Sequence, residues 1–140
     1  MITIYHNPDC GTSRNTLAII EATGVRHHVV EYLDTGWTRA QLLGLFAAAD
    51  LSPADAVRVA RSPAESLGLT QPGVDDETLL SAMGEHPILV NRPIVCSPKG
   101  VRLCRPCERV LDLLDDLPPV PFYKESGDLL IDKDGNLVSG

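Results

Sequence analysis

Nowhere in the 140 residues is there an unbroken apolar run of about 18 residues, the length needed to cross a bilayer as a helix. The start, MITIYHNPDC, lacks the basic segment and apolar stretch of a secretion signal. Both absences lead us to expect a cytoplasmic protein. Positive charge is also scarce: 12 Lys and Arg stand against 19 Asp and Glu, a formal net charge of −7. That balance argues against nucleic acid and anionic membranes as partners, because both attract basic surfaces. It also means that any anionic substrate needs a local cluster of cations to override the global field. No internal repeat or low-complexity tract is present, and the length suits one domain with one core.

Cysteine is present four times, at 10, 96, 104 and 107. In a reducing compartment such thiols are more often catalytic, metal-binding or buried than disulfide-bonded. Cys104-Arg105-Pro106-Cys107 has C-x-x-C spacing, but no second C-x-x-C and no H-x₃-H accompany it, so we expect no metal site. Cys107 lies in phase with Val110, Leu111 and Leu114, an apolar stripe that must turn inward. It is read as core, with internal resolution of a Cys10 adduct as the rival role.

The order of elements is legible. Ile2 and Ile4 alternate with Thr3 and Tyr5 in a short strand. A polar loop, His6 to Gly11, leads into a helix from about Thr12 to Thr23, with Gly24 as its stop. Arg26 to Leu33 is rich in β-formers. From about 38 to 84 the chain reads as helical. Thr38 and Gln41 make a capping box, Ser52-Pro53 and Ser62-Pro63 each offer a helix start, and Asp75 opens a further helix closed by Gly84. Strands return at Ile94–Cys96 and Val101–Leu103 around the turn Ser97-Pro98-Lys99-Gly100, and Pro106 begins a last helix. The sequence PPVP after Leu117 breaks the pattern. Residues 118–140 read as a C-terminal tail with a weak hairpin signal at Asp134-Gly135. The result is α/β, a β-α-β unit and a β-β-α unit separated by a helical block.

Chemistry concentrates at Cys10. It lies between a strand and the N-terminus of a helix, whose free N–H groups and dipole favour an anion. Gly11 allows close backbone approach, and Arg14 adds a cation. Each favours thiolate, the nucleophilic form. The N–H groups of Gly11, Thr12 and Ser13 suit a tetrahedral oxyanion beside the sulfur. Cys10-Gly11-Thr12-Ser13 is C-x-x-S, so the resolving thiol of a dithiol oxidoreductase is missing and an external thiol must finish each turnover. The Ser13 hydroxyl is a candidate donor to the sulfur or the substrate. A low-molecular-weight phosphatase loop would place Arg six residues after the cysteine, where this chain has Thr16.

Three separated segments, HNPDCGTSRNTL, HPILVNRPIV and RLCRPCERVLDLL, closely resemble the glutaredoxin-coupled arsenate reductases, and the resemblance runs from residue 2 to about 117. It implies a thioredoxin-like reductase domain over 1–117, with residues from about 38 to 84 as its helical insertion. It implies Cys10 as nucleophile and His6 as the residue that helps keep the thiol ionised. It places the oxyanion-binding arginines at Arg58, Arg92 and Arg105, and a cis bond before Pro93. Guanidinium suits that role independently, being always charged and offering paired planar donors. Cys96 and Cys107 depart from the family pattern; Cys104 matches it. The resemblance further implies arsenate as substrate, no bound cofactor, glutathione as co-substrate and glutaredoxin as partner. Two other readings share the fold: a redox-responsive regulator that carries a C-x-x-C switch, and a monothiol glutaredoxin-like reductase.

Overall fold

The computed structural model describes residues 1–138. Its centre is a four-stranded sheet of β1 (Ile2–His6), β2 (His27–Glu31), β3 (Ile94–Ser97) and β4 (Gly100–Leu103), in the order β2-β1-β3-β4. β1 and β2 run parallel, joined through helix α1 (Gly11–Ala22), while β3 pairs antiparallel with both β1 and β4. The expected β-α-β and β-β units are therefore both present, fused edge to edge through the β1–β3 ladder.

Side-chain alternation along the strands builds two cores, one on each face. Ile2, Ile4 and Val95 point to one side, where they meet Ile19 and Ile20 of α1, and Val110 and Leu113. Ile94 points to the other side with Tyr5 and Cys96, against Trp37, Leu42, Phe46, Leu80 and Met83. This second core is the function of the helical block: it covers a sheet face that would otherwise be open.

The block is less helical than its sequence suggests. Its helices are α3 (Arg39–Ala49), the single turn α4 (Pro53–Ala56) and α5 (Asp76–Glu85), preceded by a short turn of helix, α2 (Tyr32–Thr35), that ends the second strand early. Thr38 and Gln41 form the expected capping box, as do Ser52 and Asp55. The helix expected from Ser62-Pro63 to Gly68 does not form. Arg61 is left-handed, with φ of 56°, and the Ser62 hydroxyl is engaged by the Arg58 and Val59 carbonyls and the Ala64 N–H. Such local side-chain bonds compete with helix propagation. One helical bond closes, from the Leu67 N–H to the Pro63 carbonyl, and the bonds after it, Gly68 N–H to the Glu65 carbonyl and Leu69 N–H to the Ala64 carbonyl, have turn spacing and end the segment.

The last helix is likewise corrected. Cys107–Leu113 is a 3₁₀ segment, and Pro106 stands just outside it. Its buried positions are Cys107, Val110 and Leu113, a spacing of three that a 3₁₀ segment stacks on one edge. The peptide bonds before Pro93, Pro106 and Pro121 are cis.

The segment after Leu117 is part of the first core. Strands β5 (Phe122–Tyr123) and β6 (Leu129–Ile131) form a hairpin whose turn needs Gly127 at φ of 92°. The weaker signal at Asp134-Gly135 is a second turn, which brings Leu137 back beside Ile131. Ser139 and Gly140, the end of the expected tail, lie outside the described residues. Leu130 and Ile131 are buried among Ile2, Ile4 and Leu114. Ile131→Ala should therefore cost about 3 kcal/mol, the penalty of a core cavity, measured by urea denaturation. A loss below about 0.5 kcal/mol would show that the hairpin is only laid on the surface.

Candidate active site

Cys10 is the N-cap of α1, in extended backbone conformation, and its carbonyl accepts the first helical hydrogen bond from the Arg14 N–H at 2.9 Å. The Asn7 carbonyl accepts from the Cys10 N–H at 3.1 Å, which closes the loop into a tight turn over the end of β1. The thiol is 7% exposed. Burial by itself pushes its pKa up. The Ser13 backbone N–H and the guanidinium groups of Arg92 and Arg105 outweigh that effect, and the thiol is brought down from 9.0 to about 7. Arg105 Nη1 lies 3.5 Å from the sulfur and donates to the Arg92 carbonyl at 3.0 Å.

Arg92 is 5% exposed, and its Nε and Nη1 have no hydrogen-bond partner among the described residues. A buried guanidinium with idle donors is costly unless something anionic meets it. Arg58 enters from the helical block. Its N–H donates to the Leu89 carbonyl at 2.7 Å, and Asn91 donates back to Ala56 at 2.8 Å, so the α4 segment is stitched to the chain that carries Arg92. Burial, then the like charges of Arg92 and Arg105, push the Arg58 pKa down. Two guanidinium groups, Arg92 and Arg105, thus meet one thiol in a chain of net charge −7, and Arg58 stands near enough to feel both while its Nε donates to the Ala60 carbonyl at 3.0 Å.

The remaining expected residues are placed differently. His6 is buried, and burial holds its imidazole below the usual pKa; its Nδ1 is 2.6 Å from Ser13 Oγ. Ser13 Oγ also accepts from the Asn7 N–H at 3.1 Å. The hydroxyl is therefore engaged within the loop, and what Ser13 offers the sulfur is its backbone N–H. Arg14 is turned outward. Its Nε and Nη2 fork onto Glu125 at 2.9 and 2.8 Å, and its Nη1 donates to the Pro8 carbonyl at 2.8 Å. It ties the loop to the C-terminal hairpin, and the cations beside the sulfur are Arg92 and Arg105. Gly11 and Thr12 open the first turn of α1, where N–H groups have no helical partner.

Two polar residues at this site escaped the sequence reading. Asn7 braces the loop through the bonds above. Tyr32 is a buried phenol whose pKa is raised by burial, with Arg92, Asn7 and Cys10 near enough to affect it. Asn7 stood inside a recognisable motif, whereas Tyr32 gave no signal because it read as the end of a strand. Among the described residues, no group of three His, Cys, Asp or Glu side chains could hold a metal, and no helix is long and apolar enough to cross a membrane.

Residues 5–113 match the ArsC family. The chain belongs to that family. Two arsenate reductases of Synechocystis sp. are each 64% identical to it over 138 residues, covering 99% of this chain and 99% and 96% of theirs. An arsenate reductase of Escherichia coli K12 is 46% identical over 134 residues, covering 96% of this chain and 95% of its own. The arsenate reductase from Vibrio cholerae superposes with a TM-score of 0.75 at 37% identity, over 81% of this chain and 97% of that one. The thioredoxin-like architecture of this ArsC protein is thus shared with solved arsenate reductases.

Its other thiols contrast with Cys10. Burial pushes Cys104 up to about 12 and Cys107 up to about 11, and it raises Cys96 as well. Iodoacetamide should label Cys10 with a rate that rises through a midpoint near pH 7, while the other three stay unlabelled below about pH 9. A Cys10 midpoint at or above 8.5 in peptide-mapped mass spectrometry would refute the lowered pKa.

Proposed function

We propose that this protein reduces arsenate to arsenite through a Cys10 adduct that glutathione and glutaredoxin resolve. The observation that carries the proposal is the idle, buried guanidinium of Arg92 beside a thiol poised near pH 7. In this reading Arg58, Arg92 and Arg105 hold the oxyanion, with the first N–H groups of α1, and offset charge as the thiolate attacks arsenic. A sulfur–arsenic bond forms and one arsenic oxygen leaves as water.

Glutathione then adds its thiolate to the same arsenic, and a second oxygen leaves as water. A glutaredoxin thiolate attacks the glutathione sulfur. The new sulfur–sulfur bond takes one electron from each thiol, and the pair released reduces As(V) to As(III). Water cleaves the remaining arsenic–sulfur bond, which frees arsenite and the Cys10 thiolate. Glutathione is a co-substrate here, and a reducing cytoplasm supplies it. C-x-x-S at position 13 supports the external thiol, since no second cysteine follows in the loop.

The test is arsenite formation with purified enzyme, arsenate, glutathione and glutaredoxin, with each thiol component omitted in turn. Turnover should need both. Full turnover without either would refute the coupling, and no arsenite under any condition would refute the activity.

A further inference from the structure

A groove of about 360 Å³ lies between the C-terminal end of α3 and β4, and Arg105 forms part of its wall. The same Arg105 reaches the Cys10 sulfur at its other edge, so the groove begins one side chain away from the nucleophile. Arg102, Arg109 and Asp50 also line it. Arg102 is paired with Asp112 at 3.0 Å. Arg109 is exposed and has no ion pair among the described residues, although the chain carries an excess of acidic groups. Nothing in the oxyanion chemistry above uses it.

The α3 side of the groove carries its negative charge. Asp50 caps α3 in left-handed conformation, and the carbonyls of the last helical turn, at Ala48 and Ala49, end there. A helix C-terminus carries partial negative charge and unsatisfied acceptors. With Arg102 paired to Asp112 and Arg105 engaged at the sulfur, the groove lining offers Arg109 as a cation and Asp50 as an anion, with backbone acceptors beside the anion. That pattern complements an amino-acid zwitterion, one ammonium and one carboxylate on the same carbon.

We propose that this groove is the glutathione subsite, with the γ-glutamyl carboxylate on Arg109 and its ammonium on Asp50 and the end of α3. The inference rests on the glutathione-coupled reading and adds where the co-substrate is held. Three extended residues span at most about 10 Å, and Arg105 borders both the groove and the Cys10 sulfur, so a tripeptide anchored there can extend along Arg105 towards Cys10. Volume agrees as well, since small-molecule sites begin at about 300 Å³.

The test is steady-state arsenate reduction at saturating glutaredoxin for wild type, Arg109→Ala, Arg109→Lys and Asp50→Asn. Both neutralising variants change exposed residues, and their thermal unfolding should match wild type. Arg109→Ala and Asp50→Asn should each raise KM for glutathione about fivefold or more, with KM for arsenate and kcat at saturating glutathione unchanged. Arg109→Lys should recover most of the loss. S-methylglutathione should inhibit wild type competitively with glutathione and inhibit Arg109→Ala at least fivefold more weakly. An unchanged glutathione KM in both neutralising variants overturns the subsite. A parallel rise in KM for arsenate also overturns it, because Arg109 would then serve the oxyanion. Absence of glutathione-dependent turnover in wild type would instead overturn the reading on which the subsite rests.

Discussion

Cys10→Ser should reduce arsenite formation by at least about a thousandfold, or about 4 kcal/mol of transition-state stabilisation. A serine hydroxyl keeps its proton near neutral pH and is a poor nucleophile towards arsenic, so the first bond cannot form. The variant should fold, because one oxygen replaces one sulfur at the N-cap. Its stability should nevertheless differ from wild type in a pH-dependent way. The folded-state thiol titrates near 7, against an ordinary value of 9.0. A depressed value means that ionisation favours the folded state. The contribution is complete above pH 9, and it is lost as pH falls through 7. A shift from 9.0 to about 7 corresponds to roughly 2–3 kcal/mol, so wild type should gain about that much over Cys10→Ser between pH 6 and pH 10. Urea denaturation of both proteins across that range checks it. Parallel stability curves would show that the fold does not favour the thiolate, and near-normal activity in Cys10→Ser would remove Cys10 from the chemistry.

Arg92→Met should move activity and stability in opposite directions. The guanidinium is buried with idle donors, an arrangement that lowers folding stability in the absence of an anion. A thioether of similar length relieves that desolvation cost, and replacing buried charge by apolar atoms is often stabilising by 1–4 kcal/mol. We expect a gain of about 1 kcal/mol in denaturation at pH 6, where the Cys10 thiol is protonated and gives the guanidinium no anion, and a fall in kcat/KM of about a hundredfold or more. Arg92→Lys retains charge without the paired planar donors and should lose at least about tenfold. Arg92→Met that is both less stable and fully active would show that the residue is a structural brace. Wild type, in contrast to Arg92→Met, should be stabilised by added arsenate, because ligand bound only to the folded state raises apparent stability.

Most of the fold could be read along the chain because its signals are local. Ile2/Ile4 alternation, the Thr38 capping box and the Ser97–Gly100 turn each depend on neighbouring residues. The readings that failed depended on competition between local options. Ser62-Pro63 has the composition of a helix start, yet its hydroxyl is drawn to upstream carbonyls. Val110 and Leu114 fit an α stripe, yet Cys107, Val110 and Leu113 equally fit a 3₁₀ edge, and the segment takes the latter form while Leu114 still packs into the same core. The tail was opaque because Leu130 and Ile131 read as an isolated apolar pair, and only the first core gives them a place.

The same distinction separates the site residues. Cys10, Gly11 and Ser13 are legible as a loop before a helix. Arg58 became legible only through family resemblance, since its approach to Arg92 depends on the Val57–Val90 bridge. Arg14 shows the reverse. Its position beside Cys10 suggested a role at the sulfur, and a carboxylate 111 residues away claims its donors instead.

Product chemistry gives the burial of Cys104 and Cys107 a further meaning. Trivalent arsenic is a soft electrophile that is held most tightly by paired thiolates. An enzyme that releases it from its own sulfur needs that sulfur to stand alone. Here C-x-x-C spacing is present in the sequence, but Cys104 is fully buried, Cys107 nearly so, and both are kept protonated far above neutral pH. The first core thus withholds Cys104 and Cys107 from arsenite, and under the proposed mechanism the product would leave a single sulfur ligand that water can displace.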